Sequence, residues 1–251
     1  MRKKYVLVLV FLLAVSSIAF AVTIDDGNAI LKKIDKISNF EGTDFSALMT
    51  MISEDPESGI EKTQVQQFRN DDEEKFLMII QEPQVKKGQG YLLIEDNLWF
   101  YDPESRKFSH TSMKDQFNGT DANNSDFNTS STSEDYKVDS IEEGNLGKYK
   151  VYIMVIKATN NEVTYPTRRL WITREGSLVL KSEDYSAGGR LMRASYFPSY
   201  AKAGDHYIPT KMIFVDKLIE GKKTTINIRD ISIKDIPDTI FTKSYIERVN
   251  N

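Results

Sequence analysis

From Asp44 onward, apolar residues recur at every second position, and that alternation constrains the fold more than any other feature of the chain. Side chains on a strand point to opposite faces in turn, so a period of two marks segments with one buried face. "DFSALMTMISED", "IEKTQVQQFRN" and "EKFLMIIQEP" carry the pattern in succession, divided by clusters of Pro, Gly, Asp and Glu. "GYLLIEDNLWFYDPESRKFSHTS" predicts three more strands, turning at Glu95-Asp96-Asn97 and Asp102-Pro103-Glu104-Ser105. Pro103 pre-sets the backbone for a type I turn. Trp99 and Tyr101 then share one face of a hairpin and Phe100 takes the other. Strands resume at "KYKVYIMVIKATN", "TRRLWITREG", "LVLKSEDYSAGG", "RLMRASYFPSY", "HYIPTKMIFVDKL" and "KTTINIRDISIKD". Turn residues separate them at intervals of roughly ten, the spacing of a sandwich or barrel built from consecutive hairpins.

Only the ends and one internal stretch depart from this rhythm. In "DDGNAILKKIDKISNF", Ile30, Leu31, Ile34 and Ile37 fall on one helical face, with Asp25 and Asp26 near the start. The tail "IPDTIFTKSYIERVN" reads as a closing turn and a short helix. Residues 113–136, "MKDQFNGTDANNSDFNTSSTSEDY", are rich in Ser, Thr, Asn and Asp. They read either as a flexible surface loop or as a lid, because loops of this length inside a domain often act on binding. Phe117 and Phe127 are out of place in a purely solvated linker.

The chain opens "MRKKYVLVLVFLLAVSSIAFAVT": a positive start, an apolar run from Tyr5 to Leu13, and the small residues of Ala19-Phe20-Ala21. These are the parts of a secretory signal peptide cleaved after Ala21, leaving residues 22–251 as one domain outside the inner membrane. With 37 acidic against 33 basic residues, three of them in the leader, charge argues against nucleic acid and against adhesion to anionic membrane. There is no cysteine, hence no thiolate, no disulfide and no acylated cysteine.

The inventory for catalysis is thin. Ser109-His110 and Asp205-His206 are the two temptations, but neighbours on a strand point to opposite faces, and no G-x-S-x-G elbow is present. Neither histidine has a second at a chelating spacing, so no metal or cofactor is expected. Asp71-Asp72-Glu73-Glu74 fall in a turn and read as solvated. Gly88 and Gly90 precede a strand rather than open a helix, which excludes a phosphate cradle.

What is abundant is apolar side chains at alternating positions: Met49, Met51, Phe68, Met78, Ile80, Leu92, Ile94, Trp99, Tyr101, Tyr152, Met154, Trp171, Tyr196 and Met212. Either they form an ordinary core, or a curved sheet leaves its concave face partly unfilled as a cavity for an acyl chain. For that cavity the candidates are Phe68, Met78, Ile80, Leu92, Ile94, Trp99, Tyr101, Met154 and Trp171.

The stretch "KFLMIIQEPQVKKGQGYLLIEDNLWFYDPESRKF", followed by "FNGTD" and closed by "IPDTIFTKSYIERV", resembles the outer-membrane lipoprotein-sorting family. This LolA-like group includes an uncharacterised treponemal family. The motif residues are Pro83, Lys87 and Gly88; Trp99, Tyr101, Pro103 and Arg106; and Phe117, Gly119, Thr120 and Asp121. Relatives continue directly from the last box into a Ser/Asp/aromatic run, which here comes after Ala122-Asn123-Asn124. The resemblance implies a mainly antiparallel α+β fold: a strongly curved, unclosed β-barrel with helices and a loop covering its concave face. Phe117, Gly119, Asp121 and Phe127 would belong to the lid, and Pro83, Gly88, Pro103 and Arg106 to the frame. It implies a periplasmic carrier of acylated lipoprotein or lipid, without catalysis, between an inner-membrane transporter or exporter complex and an outer-membrane acceptor. A sensor module on the same fold, signalling to a membrane partner, is the alternative, with a lipid hydrolase a third.

Overall fold

The computed structural model describes residues 22–250 apart from Glu95. The leader and its cleavage site lie outside the described residues. One helix, α1 (Ile24–Ser38), precedes thirteen strands, and a single helical turn, α2 (Thr132–Asp135), follows the sixth of them. Thr23 Oγ1 accepts from Asp26 N–H while the Asp26 carboxylate accepts from Thr23 N–H, so two otherwise orphaned donors at the start of α1 are satisfied reciprocally.

The strands are β1 (Asp44–Asp55), β2 (Gly59–Asn70), β3 (Lys75–Glu82), β4 (Gly90–Ile94), β5 (Asn97–Asp102) and β6 (Lys107–His110). They continue as β7 (Tyr136–Leu146), β8 (Tyr149–Ala158), β9 (Thr167–Thr173), β10 (Val179–Tyr185), β11 (Leu191–Ala203), β12 (His206–Asp216) and β13 (Lys223–Ser232). All join one antiparallel sheet in the order β6-β5-β4-β3-β2-β1-β13-β12-β11-β10-β9-β8-β7. The sheet is curved and unclosed. The chain starts at its middle, meanders out to the β6 edge, and must then reach the opposite edge before meandering back to β13. Residues 111–135 make that one long connection. Topology therefore gives the expected lid its place, as a strap between the two free edges.

β7 has no counterpart among the strands expected from sequence. It is an edge strand with most of its side chains in water, and "KVDSIEEGN" shows little apolar alternation beyond Val138 and Ile141.

The inner face can be followed strand by strand through the register. Met49 lies opposite Val65 and Ile228, Val65 opposite Ile80, Met78 opposite Tyr91, and Met212 opposite Ile226. Phe117, Ala122 and Phe127 of the strap complete a buried cluster with these residues. On the β7–β9 side, Leu31 and Ile34 of α1 pack with Val138, Met154, Ile156, Leu170 and Ile172. The outer face of β3–β6 is covered by the C-terminal helix α3 (Lys243–Val249) and the turn before it, through Phe241 and Ile246.

The frame residues of the motifs serve this outer layer and its turns. Glu82–Pro83 is a cis peptide. Gly88 has φ +86°, and a Cβ there would meet Asn250 Oδ1 at 1.6 Å, because Asn250 Nδ2 donates to Gly88 O as it closes α3. Pro103 sits in a turn whose backbone N–H groups at Glu104 and Ser105 donate to the Asp102 carboxylate. Arg106 ends that turn at φ +55°, exposed to solvent.

Candidate functional site

A cavity of about 430 Å³ opens between the inner face, the C-terminal half of α1 and the strap. Its apolar wall comes from Phe45 and Met49 of β1, Phe197 of β11, Ile208 and Met212 of β12 and Ile228 of β13. Ile34 of α1 and Phe127 of the strap line it too, as do residues 128–132 and 162–165. Gln67, Arg69, Asp126, Arg168 and Arg193 add polar groups. Apolar walls with a few placed polar groups are the usual make-up of a small-molecule site.

The strap is tied down along its length. Phe117 and Phe127 meet edge to face with ring centroids 5.3 Å apart, and Phe117 lies against Tyr91 at 4.6 Å. Gln67 Nε2 donates to Phe127 O at 2.7 Å. Asp121 N–H donates to Thr224 Oγ1, which in turn donates to the Asp121 carboxylate at 2.8 Å. Gly119 takes φ +73°, with open space where a Cβ would stand. The far end is gripped by α1: Asn39 exchanges two hydrogen bonds with Ser130, and Asp35 accepts from Ser130 Oγ, Thr132 N–H and Ser133 N–H. Against the reading of residues 113–136 as a freely flexible loop, the strap is a packed layer. Its Ser, Thr, Asn and Asp residues find partners on strands and α1 rather than water alone.

A charged chain crosses the sheet beneath the strap. Asp184, fully buried on β10, accepts from Arg168 Nε of β9 at 2.8 Å and from Arg193 Nε of β11 at 2.9 Å. Burial raises the Asp184 carboxyl pKa, but the two guanidinium charges outweigh it and hold the carboxyl below the usual range. Arg193 continues to the strap, donating through Nη1 to Asp121 O and through both amino groups to Asp126. Burial alone would lower its pKa; Asp126 and Asp184 raise it well above the usual value. Asp121 behaves oppositely: burial pushes its carboxyl up, and the Thr224 hydrogen bond offsets only part of that. On β2, Arg69 Nε and Nη2 donate to Asp71, whose Oδ2 also accepts from Phe40 N–H. Asp71 is thus buried in an ion pair rather than solvated, a correction to the sequence reading. The turn itself stands where expected.

None of the nine cavity candidates borders the cavity. Phe68, Leu92, Ile94, Trp99 and Tyr101 lie on the outer face beneath the C-terminal segment. Trp99 has Lys243 Nζ on one side and the His110 ring at 3.7 Å on the sheet. Trp171 also points outward, between Lys181 and Arg169. Met78 and Ile80 do face inward, in the filled cluster under Phe117 and Phe127, and Met154 does so under α1. The alternation was sound, but a period of two defines two faces without saying which is inner. The lid candidates Phe117, Gly119, Asp121 and Phe127 do come together in the strap.

The residues not foreseen are the charged ones. Arg168, Asp184 and Arg193 become neighbours once the hairpins are in register, Asp184 standing opposite both arginines. Each hairpin has a register shift between its turn and Asp184, so counting back from the turns puts the three one residue out of line, and the signal is not in the sequence spacing.

No curated protein matches the chain. A family model for an uncharacterized protein family matches residues 72–248, well over half the chain. A LolA superfamily protein from Nitrosomonas europaea is 25% identical with a TM-score of 0.75, covering 90% of this chain and 100% of its own. A putative outer membrane lipoprotein-sorting protein domain from Vibrio parahaemolyticus shares the fold with a TM-score of 0.79 at 20% identity, over 90% of this chain and 100% of its own. A DUF1329 family protein from Desulfovibrio piger gives 0.77 at 18%, over 89% and 98%. The sheet order, the inward strap and these matches agree with the motifs read from sequence: the chain belongs to the LolA-like family.

Proposed function

We propose that the protein is a periplasmic carrier that shelters an acyl chain of a lipoprotein or lipid on its way toward the outer membrane, without chemistry on the cargo. In this reading an inner-membrane complex hands over the cargo and an outer-membrane acceptor receives it. The observation that carries the reading is the cavity walled by Phe45, Phe197, Ile208, Met212 and Ile228 under the strap. Exposing an acyl chain to water costs about 0.8 kcal/mol per CH₂ group, so transfer through an aqueous space requires an apolar shelter of this kind. The test is saturable binding of a fluorescent fatty acid, compared with an Ile228→Trp variant whose indole narrows the cavity. Wild type should bind and the folded variant should lose about ten-fold or more in affinity, roughly what two buried methylenes contribute. Absence of saturable binding by the wild type sinks the proposal.

A further inference from the structure

Three arginines border the cavity, and they are not equivalent. Arg193 is spent: Nε goes to Asp184, and both amino groups go to Asp126, with Asp121 O as an added acceptor. Arg69 has given Nε and Nη2 to Asp71. Arg168 lies over the Tyr136 ring, 5.8 Å from its centroid, and is hydrogen-bonded on one edge by Nε to Asp184, while among the described residues neither Nη1 nor Nη2 has a hydrogen-bond partner. Its side chain is also the most open of the three, 22% exposed against 10% for Arg69 and 5% for Arg193. Asp184 therefore orients a guanidinium whose two amino groups remain available beside the apolar wall of Leu170 and Val179. A planar fork fixed at one edge suits an oxyanion, which can accept two parallel N–H bonds.

We propose that the cavity takes a single-chain amphiphile with an anionic head, a carboxylate or a phosphate, and that Arg168 binds that head while the apolar wall takes the chain. The proposal rests on the carrier reading and narrows its cargo. A volume of about 430 Å³ lies toward the low end of the about 300–1,000 Å³ typical of ligand sites, which favours one chain over several. Asp135, which also borders the cavity, makes no ion pair with Arg168; its carboxylate accepts from Ser131 Oγ and Asn160 Nδ2.

The test is displacement of a fluorescent fatty-acid probe at pH 8 by hexadecanoate, hexadecyl phosphate, hexadecanol and a two-chain phosphatidylglycerol, with wild type and Arg168→Gln. Wild type should prefer at least one anionic single chain over hexadecanol by about ten-fold or more, the worth of a hydrogen bond to a charged group. Whichever of carboxylate and phosphate binds tighter names the source of the head. Arg168→Gln should erase the preference while still binding hexadecanol; should that variant fail to fold, the wild-type series decides alone. Equal affinity for hexadecanol and both anions overturns the proposal and leaves the carrier reading intact, and a two-chain lipid that binds as tightly as the single chains overturns its single-chain part. No displacement by any chain overturns both readings.

Discussion

Arg193 Nη2 donates to Asp126 Oδ1 at 3.0 Å while Nη1 donates to Asp126 Oδ2, joining strand β11 to the middle of the strap through a paired contact. Because Arg193 also holds Asp184, the strap and three strands share one buried network. Removing the arginine would leave the partly buried Asp126 carboxylate without its cation and Asp184 with Arg168 alone. Arg193→Met should therefore cost about 3–5 kcal/mol in urea unfolding, as expected when one partner of a buried ion pair is removed. Asp126→Asn keeps the strands paired and weakens the strap tether by removing its charge, so it should raise proteolytic nicking between residues 113 and 136 more than it lowers global stability. A variant as resistant as wild type would show that the tether does not hold the strap.

Acid should act through Asp184. Its folded carboxyl lies below the unfolded value of about 3.9, so the unfolded state binds the proton first as pH falls. The stability it contributes is present above about pH 4 and is lost as pH falls below that toward the folded pKa. Asp184→Asn should flatten this part of the stability–pH curve, measured by urea melts from pH 2.5 to 6, and lower stability at neutral pH by leaving Arg168 and Arg193 without their shared carboxylate.

Asp121 carries the opposite sign. Burial holds its folded pKa above the unfolded value, so its ionisation costs stability as pH rises from about 4 through the folded pKa. Asp121→Asn keeps an oxygen for Thr224 Oγ1 and removes the charge, so at pH 7 it should be neutral or stabilising. A large loss of stability would mean that the charge itself is needed.

These charged groups were the least legible part of the sequence, and the reason is physical. Alternation reports burial through apolar residues, and Asp184 and Arg193 occupy inner-face positions without being apolar. The strands from β1 to β6 were legible because Met49, Met51, Phe76, Met78 and Ile80 alternate cleanly, and α1 because its apolar positions repeat at helical spacing. β7 escaped because an edge strand in water need not alternate. Which face was inner depended on where the strap and α3 settle, and both are decided by long-range packing. Phe117 and Phe127 announced the strap because large apolar residues in a polar stretch need somewhere to be buried.

The outer placement of Trp99 and Tyr101 gives a clean separation. Tyr101, packed with Phe108, lies in the cluster that holds α3, so Tyr101→Ala should destabilise by about 3–5 kcal/mol, as for a buried Phe, and loosen the C-terminal helix. Acyl-probe affinity of the folded fraction should stay at the wild-type value. A selective loss of binding without loss of stability would put the ligand on the outer face.

The central claim is that an acyl chain enters the space between α1, the strap and the inner face. Photo-crosslinking with a fatty acid bearing a diazirine near its chain end, followed by peptide mapping, tests it most directly. Saturable labelling of Phe45, Phe197, Met212 or Ile228, abolished by excess unlabelled fatty acid and weakened by Ile228→Trp, is the predicted result. Labelling confined to the outer-face peptide 98–110, or no saturable labelling, would contradict it.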